Sequence, residues 1–304
     1  MTTTPKAFSR LTHLNIPLLQ SKHVTIIGLG GGMAAFLGMA RQGVGRFTLI
    51  DFDMVEEHNI GRQDHDFADL GLPKVQAAKQ KMQRILPTVE VTTHVRNFCD
   101  FPEAELLELV RNSDLLYVAV DRHQPVALAN RLCLRTGTPF IVAGMYAGGQ
   151  AGELYFWHSG LLPCYRCVLA GRYESDAEEI VASDAASFSD CTKLDAAGTD
   201  LALGLLTFPD ANPLSEQIKA FGHRNFLQMK FRHSYQWEGQ DLIAESLGIP
   251  PGNDAYVTYC CAARRDPDGG GRCPDCQQHR ALDSEGLPQL DRAWTQHLLE
   301  WKPS

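Results

Sequence analysis

Arg62 and Lys74, twelve residues apart, lie downstream of a glycine cluster at Gly28, Gly30, Gly31 and Gly32, and Asp121 closes a later apolar run. Two fixed cations and a carboxylate are what a cleaved triphosphate requires. Negative charge building on phosphoryl oxygens is met by Arg, Lys and a divalent metal, and a carboxylate such as Asp121 suits Mg²⁺. Glycines between a strand and a helix let an anion approach the backbone N–H groups of the helix N-terminus. Asp51 follows Gly28 by 23 residues, at the end of a second strand, where a carboxylate accepts hydrogen bonds from ribose hydroxyls. The glycine loop with Asp51 alone fits NAD as well as ATP, and a turn that binds nothing is a third reading. Hydride transfer has no use for the two cations, so they favour ATP. The loop also departs from G-x-G-x-x-G, with Met33 where the last glycine would stand.

The nine cysteines supply a second kind of chemistry. Cys164 and Cys167 form one C-x-x-C and Cys273 and Cys276 another, the two knuckles that close a tetrahedral zinc shell. The 105 residues between the pairs exceed a local ribbon, so such a metal would staple the tail onto the body. Redox C-x-x-C is the rival, and neither pair has the strand–helix setting of a thioredoxin motif. Cys191, in the polar stretch SFSDCTKLDAAGTD, is expected in a loop just before a helix, where a thiol gains thiolate character. Against that stands an inert loop cysteine, because Asp190 beside it raises its pKa. Cys99, Cys133, Cys260 and Cys261 lie in or beside apolar elements and read as core. The histidines are scattered, without a spacing that marks a site.

The elements that must position these groups alternate. Strands are predicted at 23–28, 46–51, 89–95, 115–120 and 139–144, and helices at 33–42, 74–86, 103–111 and 125–135. That order implies βαβ units and a mostly parallel, doubly wound sheet of Rossmann type. Beyond it, 149–157, 226–231 and 256–262 read as further strands, 196–208 as a helix, and 174–190 as a mobile loop. The expected organisation is an arm at 1–20, a nucleotide-binding half at 21–155, and a zinc and thiol-loop half at 156–304.

The stretch GLGGGMAAFLGMARQGVGRFTLIDFDMVEEHNIGRQ, then GLPKVQAAKQ and VAVDRH, resembles the ThiF/MoeB superfamily, adenylating enzymes of the ubiquitin-activating type. The resemblance runs from Ser21 to Leu169 and resumes at Cys191 and the terminal CPDC. It implies that Asp51 holds the ribose, with Asp53 in the same D-x-D pattern. Asn59, Arg62 and Gln63 would lie along the phosphates, Lys74 would reach the α-phosphate, and Asp121 would hold Mg²⁺. Arg10 is similar to an N-terminal arginine that the family lends to the partner's ATP across a homodimer. The resemblance also implies a structural Cys₄ zinc, and a cargo-accepting role for Cys191 as a thioester or acyl-persulfide. Met33 leaves Gly32 to provide the close helix–strand packing, and Val126 stands where the family often carries arginine.

A formal net charge of −8 argues against a sequence-independent nucleic-acid binder. No apolar run reaches the roughly 18 residues of a membrane span, and MTTTPKAFSR lacks the apolar stretch of a secretory leader, so a cytoplasmic protein is expected. The expected activity is ATP-dependent adenylation of the C-terminal carboxylate of a ubiquitin-like protein, followed by transfer to a cysteine. That places it in ubiquitin-like conjugation, including bacterial antiviral operons, with a conjugating enzyme downstream. Sulfur-carrier activation of molybdopterin or thiamine type is the alternative within the class. An NAD-dependent oxidoreductase and a non-catalytic scaffold subunit are the alternatives outside it.

Overall fold

The computed structural model describes residues 6–161, 163–174, 186–222, 224–232, 240–241, 258–260 and 273–280. Five strands, β1 (His23–Ile27), β2 (Arg46–Ile50), β3 (Glu90–His94), β4 (Leu115–Val118) and β5 (Phe140–Met145), pair in parallel. β6 (Ala151–Trp157), β7 (Phe226–Lys230) and β8 (Thr258–Cys260) extend the sheet in antiparallel fashion, giving the order β3-β2-β1-β4-β5-β6-β7-β8. The central strands are apolar on both faces, β4 being buried along its whole length, as a sheet covered on both sides requires.

The connecting helices are α1 (Ile16–Ser21), α2 (Met33–Arg41), α3 (Lys74–Ile85), α4 (Glu103–Arg111) and α5 (His123–Thr136). Short helices α6 (Tyr165–Val168) and α7 (Gly171–Glu174) follow, then the 20-residue α8 (Phe188–Thr207), α9 (Pro213–Phe221) and α10 (Pro274–His279). α8 packs on α2 and α9 and against β4, β5 and β6, while α5 packs on α4 and α10. Helices therefore cover both faces, and the doubly wound architecture expected from the alternation is present. Phe36 of α2 meets Phe47 of β2 edge to face at 4.8 Å, a contact that fixes α2 over the strands feeding the site.

Element ends moved by one to three residues for most segments, as helix fraying and strand ends allow. The larger correction is α8, which begins at Phe188 rather than at 196. Its extra turns are held by a capping box. Ser187 caps the helix while Asp190, three residues on, accepts the Ser187 N–H at 3.1 Å. Of the expected loop 174–190, residues 175–185 lie outside the described residues. Cys133 is buried as expected, Cys99 is only half-buried, and Cys261 is outside the described residues.

Candidate functional site

The strand order reverses between β1 and β4, whose ends are in register at Ile27 and Val118. Open α/β sheets bind ligands in the crevice at such a switch point. A cavity of about 510 Å³ occupies it, lined among others by Gly28, Gly30, Gly31, Asp51, Asp53, Asn59, Arg62, Gln63, Lys74, Asp121 and Cys191. Residues as far apart in sequence as the glycine loop and α8 are thus brought to one chamber.

Gly28 leaves β1 at φ +90°, and a Cβ there would fall 2.3 Å from the Ala119 carbonyl oxygen of the neighbouring strand end. Only glycine accommodates both. Gly32 is the N-cap of α2, and a Cβ there would lie 2.6 Å from the Gly28 oxygen and 3.0 Å from Ile26 Cγ2. Gly32 therefore provides the close helix–strand packing. Met33, one residue on, is fully buried in the core.

Asp51 turns its carboxylate back across the loop. Its Oδ2 accepts the Leu29 N–H at 2.6 Å and its Oδ1 the Asp53 N–H at 2.9 Å. Burial raises its pKa, while the Asp53 amide, Lys74 and the Leu29 amide draw it back. Lys74 opens α3 and is buried, its Nζ 2.8 Å from Asp53 Oδ2, so that carboxylate holds the ammonium at the cavity wall. Asn59 is buried too, and its Oδ1 caps the short turn before it by accepting the Glu56 N–H at 2.9 Å. Gln63 Oε1 is buried and has no hydrogen-bond partner among the described residues. Asp121 is exposed, just beyond the end of β4.

Cys191 lies in the first turn of α8, not in a loop before it, and is half-buried. Burial pushes its thiol above the ordinary range. Arg62 pulls it down, and Asp195 and Asp190 push it up. The thiolate character expected from a helix N-terminus is thus outweighed by desolvation. One turn further along α8, Asp195 is buried, and its Oδ2 accepts the Ala35 N–H at 3.2 Å while Tyr117 OH donates to Oδ1 at 3.4 Å. Burial raises its pKa to about 8, against the pull of the Ala35 amide and Tyr117.

Outside the cavity, the Sγ atoms of Cys164, Cys167, Cys273 and Cys276 lie within 4.8 Å of one another. Neighbouring pairs are 3.5 Å (Cys164–Cys273) and 3.8 Å (Cys164–Cys167 and Cys167–Cys276) apart. Tetrahedral zinc with bonds of about 2.3 Å sets sulfurs about 3.8 Å apart, so the cluster has the dimensions of a closed Cys₄ shell. Asn130 and Arg166 each donate to the buried Asp275 between the last two cysteines, at 2.8 and 2.9 Å, and fix the second knuckle.

A profile described as the ThiF family matches residues 7–230. The chain belongs to the ThiF family. Molybdopterin-synthase adenylyltransferase of Escherichia coli (strain K12) is 37% identical over 155 residues, which cover 49% of this chain and 59% of that protein. Adenylyltransferase and sulfurtransferase MOCS3 of Sus scrofa is 34% identical over 152 residues, 49% of this chain and 32% of that protein. The ThiF-family chain thus aligns with less than two thirds of the length of either relative. In fold it is similar to the crystal structure of E. coli MccB, with a TM-score of 0.59, 20% identity, and coverage of 76% of this chain and 68% of that one.

Within this ThiF-family chain the expected residues do not all converge. Arg10 is exposed in a turn near the N-terminus and is not among the cavity-lining residues. Sequence reasoning missed Asp195, Glu153, Arg172 and His123, all in the cavity wall. Asp195 carried a signal, its i,i+4 spacing from Cys191 once both are helical. The other three are brought in by β6, α7 and the start of α5, and nothing in their local sequence marks them.

Among the described residues, no helix is long and apolar enough to cross a membrane.

Proposed function

We propose that the chain is an ATP-dependent adenylyltransferase. It would activate the C-terminal carboxylate of a ubiquitin-like or sulfur-carrier protein in the cytoplasm, without nucleic acid. The observation that carries this reading is one chamber lined by a ribose-type carboxylate, Asp51, by Lys74, Arg62 and Asp121, and by a thiol, Cys191. Two rim cations favour a triphosphate over the dinucleotide of an oxidoreductase. The adenylyltransferase names of the E. coli and Sus scrofa relatives support the same choice.

Asp51, fixed by two backbone amides, offers its outer lone pairs to ribose hydroxyls. Lys74 and Arg62 meet the charge that develops on the phosphates, and Asp121 would hold Mg²⁺, which supplies Lewis-acid polarisation when bound. The incoming carboxylate is already ionised at neutral pH, so attack on the α-phosphorus needs no general base. Positioning and fixed charge lower the barrier, and pyrophosphate leaves. The finer reading is conjugation. The Cys191 thiol attacks the acyl-adenylate carbonyl, AMP departs, and a thioester forms for hand-over to a conjugating enzyme. Its half-buried place in the same cavity supports this over an inert surface cysteine. The Cys₄ cluster would bind zinc structurally.

Carrier-dependent ATP–pyrophosphate exchange tests the first step. Asp121→Ala is expected to abolish exchange. Cys191→Ala should retain exchange and lose a thiol-sensitive carrier adduct on a non-reducing gel. Absence of exchange with every ubiquitin-like and sulfur-carrier protein ending in Gly-Gly overturns the reading, and an adduct that survives Cys191→Ala removes the thiol from it.

A further inference from the structure

His65 is not among the cavity-lining residues, yet its ring is sealed against the glycine loop. The side chain is 0% exposed, and its Nε2 lies 3.3 Å from the Leu29 carbonyl oxygen. A carbonyl only accepts, so Nε2 carries the proton and donates. Leu29 is itself fully buried, and its N–H is the group that Asp51 Oδ2 accepts at 2.6 Å. The peptide groups on both sides of Leu29 are therefore fixed, one by the Asp51 carboxylate and the other by His65.

The segment that carries His65 also carries Arg62 and Gln63. Its course is set from within, the Arg62 and Gln63 N–H groups donating to the Asn59 carbonyl at 3.1 and 2.8 Å. Lys81 of α3 holds it at Asp64, with Nζ 2.6 Å from both the carbonyl oxygen and Oδ1. A Cβ at Gly30 would lie 2.8 Å from Gln63 Nε2, so this segment rests directly on the glycine loop. On the other side of the ring, Nδ1 is 3.8 Å from Oδ2 of the buried Asp69, beyond hydrogen-bond reach. That oxygen already accepts the Asp66 N–H at 3.0 Å. Burial holds the imidazole below its ordinary pKa; Lys74 and Lys81 push the same way, and the Leu29 carbonyl and Asp69 oppose them. The ring is thus neutral near pH 7 and has one N–H, which Leu29 takes.

We propose that His65 is a positioning residue, a clamp that joins the two loops gripping the nucleotide. This rests on the function proposed above. Through Leu29 it steadies the amide that orients Asp51 toward the ribose, and through its own segment it keeps Arg62 and Gln63 beside the phosphates. Nothing in the clamp touches the carboxylate to be activated, so its loss is felt by ATP and not by the carrier. An apolar ring at position 65 would fill the same space but leave the buried Leu29 carbonyl without its donor, a cost relieved only by moving the loop.

The test uses the full chain and reads nucleotide and carrier separately. Binding of non-hydrolysable α,β-methylene ATP, followed by isothermal titration, is expected to weaken about 10-fold in His65→Phe, equivalent to about 1.4 kcal/mol. Glutamine places an N–H near the position of Nε2 and asparagine near that of Nδ1. His65→Gln should therefore bind within about 2-fold of the parent, and His65→Asn should share the defect. In carrier-dependent exchange, His65→Phe should raise the KM for ATP about 10-fold while moving the KM for a Gly-Gly-ended carrier less than about 2-fold. Nitrogen NMR of the histidine-labelled parent at about pH 7.5 should show His65 with its proton on Nε2. If His65→Phe does not fold, the glutamine–asparagine contrast and the NMR decide alone. A ring protonated on Nδ1 alone, glutamine no better than asparagine, or an equal rise in both KM values overturns the clamp. A parent that binds no α,β-methylene ATP overturns the clamp and the nucleotide reading together. Affinity lost in His65→Phe and kept in His65→Gln, in a chain without exchange activity, would keep the clamp and overturn the adenylyltransferase reading instead.

Discussion

Asp195 shows how one side chain ties the thiol-bearing helix to the glycine loop. Its carboxylate occupies N–H groups in the first turn of α2, which a dinucleotide fold would offer to pyrophosphate. In the proposed function the phosphates would then be left to Arg62 and Lys74. Because the folded pKa is raised to about 8 by burial, Asp195 keeps its proton in the fold at a pH where the unfolded chain has lost it. The unfolded state then binds fewer protons, so stability falls as pH rises from about 4 and levels off above about 8. Asparagine in its place retains an acceptor for the Ala35 amide and has no charge to desolvate. Asp195→Asn is expected to raise Tm relative to the parent at pH 8 and to raise it less, or lower it, at pH 5. Thermal melts at the two pH values check this, and a difference independent of pH would remove the titration from Asp195.

At the scale of elements, the parallel strands and the glycine turn were legible because each is a local pattern: β-branched runs, short connections, and glycine where a Cβ cannot fit. The two C-x-x-C pairs were legible by spacing alone. The start of α8 was not read, although Ser187 and Asp190 stand at capping-box spacing, because the Ser, Ala and Asp-rich composition of 174–190 masks its period. The Arg172–Glu153 pair was illegible for a different reason. Its members come from β6 and α7 and meet through sheet register and the α6 knuckle, which no local sequence window contains. Two measurements test how the elements hold the site. Phe36→Ala opens a hole between α2 and β2 and should cost about 3–5 kcal/mol in denaturant unfolding. Chelation by a zinc-binding dye that competes for four thiolates should release one metal per chain and lower Tm. Release of none, with Tm unchanged, would leave the Cys₄ cluster without its metal role.

At the scale of the whole molecule, Arg10 is the residue that a single chain leaves unexplained. The cavity is lined without it, and it is exposed. We propose that a two-fold homodimer resolves this, because an isologous interface would give each subunit's arm to the other's cavity. Phe52, which lines the cavity, and Met54, Phe67 and Leu70 are exposed large apolar side chains, suited to being covered. Arg10→Ala and Asp121→Ala should each abolish exchange alone, the first by removing the lent cation and the second by removing the metal carboxylate. Mixed in equal amounts and allowed to exchange subunits, half the dimers become mixed. Each mixed dimer has one complete site, built from the Asp121 of one subunit and the Arg10 of the other. About a quarter of the parent activity should therefore return for a closed two-fold pair. Recovery of none, with mixed dimers demonstrated by mass, would confine each site to a single chain and overturn the lending of Arg10.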